Sequence, residues 1–286
     1  MGHVTTPSEP LRLRVRVDAQ PQAVFAALTD PDALIEWLTD SAEVDLDADR
    51  FEFWGRYVPL GDRPRQRLSL ASPDGLRFTW DLDDPTPSAV ELIIAAHDGG
   101  GTVVTVEHTG IPASGRADRV ALSCFWHVSL ANLAAQCCGL PTMPPFDFSV
   151  PAQGDALVRT VIDVPAEQVY ASLLDPAQVD RWAGGTAVIE PSIGGRYDFG
   201  WAHGPAKIID LQPDKVVAYS WRHPDSPETL VRWNLRDSRG STYLTLNHSG
   251  FADDALAEEY RQNWPSHLVE LKRMLELGPR WESMKA

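Results

Sequence analysis

The sequence predicts an α+β protein built from two tandem copies of one domain. Each copy is an antiparallel β-sheet covered by a long C-terminal α-helix. Three observations carry this. The first is self-similarity: Val17-Asp-Ala-Gln-Pro-Gln-Ala-Val-Phe-Ala-Ala-Leu-Thr-Asp-Pro31 matches Ile162-Asp-Val-Pro-Ala-Glu-Gln-Val-Tyr-Ala-Ser-Leu-Leu-Asp-Pro176, and Trp37 matches Trp182 at the same offset of about 145 residues. A period this long is a duplicated domain rather than a solenoid repeat. The second is a continuous run of strands in each copy, which implies antiparallel pairing with helices on one face. The third is a closing helical pattern, with Trp126, Leu130 and Leu133 in copy one and Trp264, Leu268 and Leu271 in copy two.

The elements follow in order. A strand opens each copy (11–17 and 157–164), and an amphipathic helix follows (21–28 and 165–174), with proline well placed in its first turn. Val169, Leu173 and Leu174 share one helical face. A short second helix after each Asp-Pro carries Trp37 or Trp182. Turn signals then separate the strands: Ser72-Pro-Asp-Gly75, Asp98-Gly-Gly-Gly101 and Asp237-Ser-Arg-Gly240. In the last helix Leu256, Tyr260, Trp264, Leu268, Leu271 and Leu275 keep helical spacing, and Pro265 is expected to kink or restart it after Asn263. That leaves a lid-like first segment over 253–262. The domains are placed at 10–140 and 155–280, joined by a stiff, proline-containing connector from Leu140 to Gly154.

Composition narrows the function classes. At 286 residues, 43% hydrophobic and 23% charged, the chain is neither collagen-like, coiled-coil nor wholly disordered. A net charge of −15 argues against nucleic acid or an anionic membrane as partner, because phosphate binding needs clustered Lys and Arg. No apolar run is expected to span a bilayer, and the N-terminus lacks a signal pattern, so a cytoplasmic location is expected. Three cysteines, Cys124, Cys137 and Cys138, without a Cys-x-x-Cys, call for no zinc and no disulfide framework. The adjacent pair reads as small buried groups near a helix end. Met1-Gly2 with Thr6 and Asn247-His248-Ser249 match loose modification patterns and are set aside. The acidic stretch of Asp40, Glu43, Asp45, Asp47, Asp49 and Glu52 reads as a solvated loop, with a cation site or a basic protein partner as the alternative. No motif specifies a nucleotide, metal, other cofactor or serine nucleophile.

Period-2 parity assigns faces. Phe78 and Trp80 lie together in copy one; Tyr219 and Trp221, Val231 and Trp233, and Leu246 and His248 lie together in copy two. Tyr197, Phe199, Trp201 and His203 share one face. His108 and His248 therefore point to the covered side. They read either as fasteners of a strand-to-helix corner or as polar groups in an apolar pocket. His203 and Tyr57 are expected near a pocket mouth, Trp54 at a surface or edge, and His127 and His267 at the helix boundary. With ten Trp in the chain, a sheet not fully plugged by its own side chains describes a cavity for a small hydrophobic molecule. Its expected lining is Tyr197, Trp201, His203, Tyr219, Trp221, Trp233 and His248, with Trp80 and His108 as counterparts in copy one. His248 and His203 are the candidates for proton transfer.

The opening strand, the Pro-Ala-Glu-Gln-Val-Tyr-Ala-Ser-Leu-Leu-Asp-Pro176 helix, Trp182, His248-Ser-Gly-Phe251 and Asn263-Trp264-x-x-x-Leu268-x-x-Leu271 resemble the SRPBCC (START/birch-allergen-like) superfamily, in the branch named after the activator of the heat-shock-protein-ninety ATPase. The resemblance implies a helix-grip fold in both copies and the binding of lipids, polyketides or other hydrophobic molecules. The expected function is accordingly binding of a small hydrophobic or aromatic ligand. An aromatase/cyclase-like enzyme and a co-chaperone or protein-interaction module are the alternatives.

Overall fold

Domain one opens with β1 (Leu11–Val17), whose Leu11, Leu13, Val15 and Val17 face inward while Arg12 and Arg14 face solvent. Alternation of this kind buries one face of a sheet and leaves the other wet. The chain turns into α1 (Pro21–Thr29) and α2 (Pro31–Trp37), each with proline in its first turn, and the Asp30 carboxylate caps α2 by accepting from Asp32 N–H. β2 (Ser41–Asp45) and β3 (Arg50–Trp54) form a separate hairpin. β4 (Gln66–Ser72), β5 (Gly75–Trp80), β6 (Ala89–Ala96) and β7 (Thr102–Thr109) complete a five-stranded antiparallel sheet in the order β1-β7-β6-β5-β4, and α3 (Arg116–Cys137) closes the unit.

Domain two repeats this plan with β8 (Ala156–Ile162), α4 (Ala166–Leu174), α5 (Pro176–Val179), the small pair β9 (Val188–Ile189) and β10 (Tyr197–Asp198), then β11 (Gly204–Gln212), β12 (Val216–Arg222), β13 (Thr229–Ser238), β14 (Ser241–Ser249) and α6 (Asp254–Leu277). Its sheet runs β11-β12-β13-β14-β8. The β13–β14 hairpin closes on Arg239 and Gly240, both at positive φ, as a two-residue turn with matching twist requires. The computed structural model describes residues 9–112, 116–202, 204–224 and 226–285. One unit runs through Val150 and takes in Met284 and Lys285 from the C-terminal end; the other is Pro151–Ser283.

The copies agree in detail. Trp37 Nε1 donates to Ala27 O (3.0 Å), and Trp182 Nε1 donates to Ser172 O (3.2 Å), so each short helix is pinned to the first by the same indole. Both sheets face their long helix with the residues that parity assigns inward: Phe78, Trp80, Val104 and Val106 in one, Tyr219, Trp221, Trp233 and Leu246 in the other. The helix-grip α+β architecture is thus present twice.

Four local expectations are corrected. Pro265 does not break α6, which runs unbroken from Asp254 to Leu277. The proline removes one backbone donor, but Trp264, Pro265 and Leu268 are all buried, and tertiary packing holds the helix on both sides. The expected strand through Tyr197–His203 stops at Asp198, because Gly200 turns the chain at φ +76°; Trp201 beyond it is half-buried rather than buried. Of the paired thiols, Cys137 is half-buried and Cys138 exposed, since α3 ends there. Burial, then the neighbouring Cys138, pushes the Cys137 thiol up to about 11, so it is not a reactive thiolate. Finally, residues 118–137 of α3 reach a mean hydropathy of 1.2 over a length that matches a membrane span, with 61% of that window buried. A helix gripped by a sheet is apolar for that reason. Of the acidic stretch, Glu43, Asp45, Asp47 and Asp49 are exposed along the β2–β3 hairpin, where Asp45 caps a 3-10 turn and Glu43 pairs with Arg50, while Asp40 and Glu52 are half-buried.

Candidate functional site

In domain two the inner face of β14 ends on His248, fully buried, and the middle of α6 brings Trp264 above it. Trp264 Nε1 donates to His248 Nδ1 (3.3 Å). An indole N–H only donates, so Nδ1 is the acceptor and the ring proton sits on Nε2. From there it is given to Thr229 Oγ1 (2.7 Å), whose own hydroxyl reaches Trp221 O (3.4 Å). Burial, and second the neighbouring His223, pushes the His248 pKa down to about 3. At neutral pH this imidazole is uncharged and its lone pair lies under an indole N–H. It fastens the helix to the sheet.

The network continues outward. His223, half-buried at the end of β12, shares Thr229 Oγ1 (3.1 Å) and stacks over His248 with ring centroids 6.1 Å apart. Tyr260 Oη stands 3.4 Å from His223 Nδ1 and accepts from Trp221 Nε1 at 3.0 Å. Phe251 closes this end, 4.4 Å from the His248 ring and stacked on Tyr260 at 5.6 Å. Trp201 lies on Phe199 (4.5 Å) and beside His267 (4.8 Å). An aromatic array thus runs from the core to a half-buried end, where its hydrogen-bonding groups gather.

The expected lining residues divide accordingly. Tyr197, Tyr219 and Trp233 are fully buried and pack on one another: Tyr197 stacks on Tyr219 at 4.2 Å, Trp233 Nε1 donates to Tyr219 Oη (2.9 Å), and Tyr197 Oη donates to Leu173 O (2.7 Å). Burial raises both phenol pKa values well above the ordinary range, so neither is an acid at neutral pH. Trp221 and His248 join that core to the half-buried end. His203 lies outside the described residues. The sequence reading missed His223, Thr229 and Tyr260 as a group, although the signal was present: the parity of Tyr219 and Trp221 extends to His223, and that of Val231 and Trp233 extends back to Thr229.

Domain one holds the same fastener. Trp126 Nε1 donates to His108 Nδ1 (3.2 Å), and His108 Nε2 meets Ser88 Oγ (2.7 Å). Burial, then Arg119, brings His108 to about 3. The half-buried end is not repeated: by the internal correspondence Leu82 stands for His223, Leu122 for Tyr260 and Ile111 for Phe251. Among the described residues no cluster of three or more His, Cys, Asp or Glu side chains is placed to hold a metal ion. An open surface cleft of about 540 Å³ near the start of α4, lined by Glu167, Asp214, Lys215 and Arg236 among others, carries no aromatic ring.

A family model described as activator of Hsp90 ATPase homolog 1-like protein matches residues 18–136 and 163–276, one segment in each domain. No curated protein matches the chain. Among solved structures, protein MLL2253 from Mesorhizobium loti is 22% identical over 43% of this chain and 98% of its own, with a TM-score of 0.39. The Aha1 dimer from Colwellia psychrerythraea is 22% identical over 44% of this chain and 99% of its own, with a TM-score of 0.40. DynU16, encoded in the dynemicin biosynthetic locus, is 18% identical over 93% of this chain and 98% of its own, with a TM-score of 0.35.

Proposed function

The chain belongs to the family of activator of Hsp90 ATPase homolog 1-like proteins, and from that premise we propose that domain two binds a small, flat hydrophobic or aromatic molecule at the half-buried end of its aromatic array. The observation that carries this reading is the concentration of polar groups there. His223 and Tyr260 sit among Trp221, His248 and Phe251, whereas the interior rings satisfy one another. Aromatic walls with a few placed donors and acceptors suit a ligand that is mostly apolar with one polar substituent. If a reaction accompanies binding, the geometry favours His223 over His248 as its proton-transfer group, since His223 is half-buried at the open end of the array and His248 is fully buried.

The test is saturable quenching of tryptophan fluorescence by 2-ethylnaphthalene in the full chain. Phe251→Ala, which removes a half-buried ring outside the fastener, is expected to weaken binding about tenfold, the range for losing one aromatic contact. Absence of saturable quenching, or an affinity unchanged in Phe251→Ala, overturns the reading.

A further inference from the structure

Domain one carries two buried hydrogen-bond donors, on Trp80 and Gln66, without a partner among the described residues. Trp80 is 1% exposed, and its Nε1 has no hydrogen-bond partner among the described residues. Gln66 is 6% exposed, and its Nε2 is likewise without a partner there. The two residues are register partners, Gln66 on β4 opposite Trp80 on β5, and so lie on the same face of the sheet. Directly opposed side chains start about 4.5–5.5 Å apart at Cβ.

The Gln66 amide orientation is settled by its neighbours. Its Oε1 accepts from both Phe53 N and Arg65 N, each at 3.2 Å. A flipped amide would set donors against donors, so Nε2 is the atom left over. The immediate neighbours of Trp80 are rings: Phe53 at 5.3 Å and Phe125 at 5.5 Å meet it edge-on, and His108 stacks on it at 5.6 Å. The nearby cation, Arg65, is tied to Asp62 (2.9 Å) and Asp83 (2.6 Å).

Domain two shows what the same position looks like when occupied. Trp221, the counterpart of Trp80, gives its indole N–H to Tyr260 Oη at 3.0 Å. Domain one has Leu122 in place of Tyr260, and Pro205 pairs with Trp221 where Gln66 pairs with Trp80. One domain supplies an acceptor oxygen from its own helix; the other lacks that oxygen and adds a second donor. Buried donors are rarely left unmatched, because each one gives up its water without gaining a partner.

We infer that domain one is a second binding site, for an apolar molecule bearing a neutral acceptor oxygen such as a ketone or quinone carbonyl, with Trp80 Nε1 and Gln66 Nε2 as its donors. A carbonyl oxygen has two lone pairs and takes two donors. A carboxylate suits the site less, since burying a charge without a cation is costly. This site is independent of the one proposed in domain two.

The test compares 2-acetylnaphthalene with 2-ethylnaphthalene, which share a shape and differ in the carbonyl, by calorimetric titration of the full chain. The ketone is expected to bind at least about tenfold tighter, as two donors otherwise left unpaired imply. Trp80→Phe should reduce that preference to under about twofold, whereas Trp221→Phe should leave it intact. Gln66→Glu keeps the oxygen that serves Phe53 and Arg65 and removes the donor, so it provides a second variant should Trp80→Phe not fold; it is expected to weaken the ketone at least about tenfold and spare the hydrocarbon. Equal affinities in the unmodified protein would mean that water serves both donors, and the proposal fails. It fails equally if the ketone does not bind, or if its preference survives either domain-one substitution. Loss of the preference in Trp221→Phe alone moves the carbonyl to domain two and leaves only the reading of that domain standing.

Discussion

Acidification from pH 6.5 to pH 3 is expected to destabilise both domains by several kcal/mol each. His108 and His248 ionise near 6.5 in an unfolded chain, but burial holds them at about 3 in the folded one. Between those values the unfolded state binds the proton and the folded state does not. Their contribution is therefore complete above pH 6.5, is lost progressively as pH falls, and is gone below pH 3. A displacement of this size corresponds to about 5 kcal/mol per histidine, a large share of a typical domain's stability. Burial is the main cause, and the geometry acts in the same direction: protonating Nδ1 would place an N–H against the indole N–H of Trp126 or Trp264. Urea unfolding across this window, followed by tryptophan fluorescence, measures the effect. His248→Gln should flatten the profile of domain two and leave that of domain one. A stability constant from pH 6.5 to 4, or a profile insensitive to this substitution, contradicts the account.

Replacing Trp264 by alanine is expected to cost domain two about 3–5 kcal/mol, the range for deleting a buried tryptophan. Trp264 is 1% exposed, meets Trp221 at 5.4 Å and Trp233 at 5.8 Å, and holds His248 Nδ1. Its loss opens a void between helix and sheet and strips the imidazole of its donor. Trp264→Phe separates these effects: most of the ring volume stays, the donor goes, and the expected cost falls to about 1–3 kcal/mol. His248 should then protonate at a higher pH, because its lone pair is no longer engaged. Chemical denaturation with the two domain transitions resolved is the measurement. A cost below about 1 kcal/mol for Trp264→Ala would show that α6 is held mainly by other contacts.

The sequence was a good guide where the determining interaction is local or repeats with a short period. Strand β1 was legible from Leu11, Leu13, Val15 and Val17, and the placement of His248 from its parity with Leu244 and Leu246. It misled where one residue's neighbours overrule its habit. Pro265 disfavours a helix interior, yet burial on the sheet side keeps α6 unbroken. Gly200 looked like one more strand position, yet its positive φ ends the strand and leaves Trp201 half-buried. The candidate site was legible as a set of aromatic residues and illegible as an arrangement. Which indole meets which acceptor depends on strand register and on how the helix crosses the sheet: Trp221 finds Tyr260 across 39 positions and His248 finds Thr229 across 19.

The chain by itself determined that there are two copies of one α+β unit, which strands face inward, and that a Trp and a His recur at matching places. Hydrophobic period and duplication are properties of neighbours in sequence, and they survive without knowledge of the fold. Only the tertiary structure decided that these histidines are neutral fasteners, that the interior rings of domain two satisfy one another, and that the Gln66 and Trp80 donors meet no partner among the described residues. A hydrogen bond is made or missed within a few tenths of an ångström, and that distance is set by segments far apart in the chain.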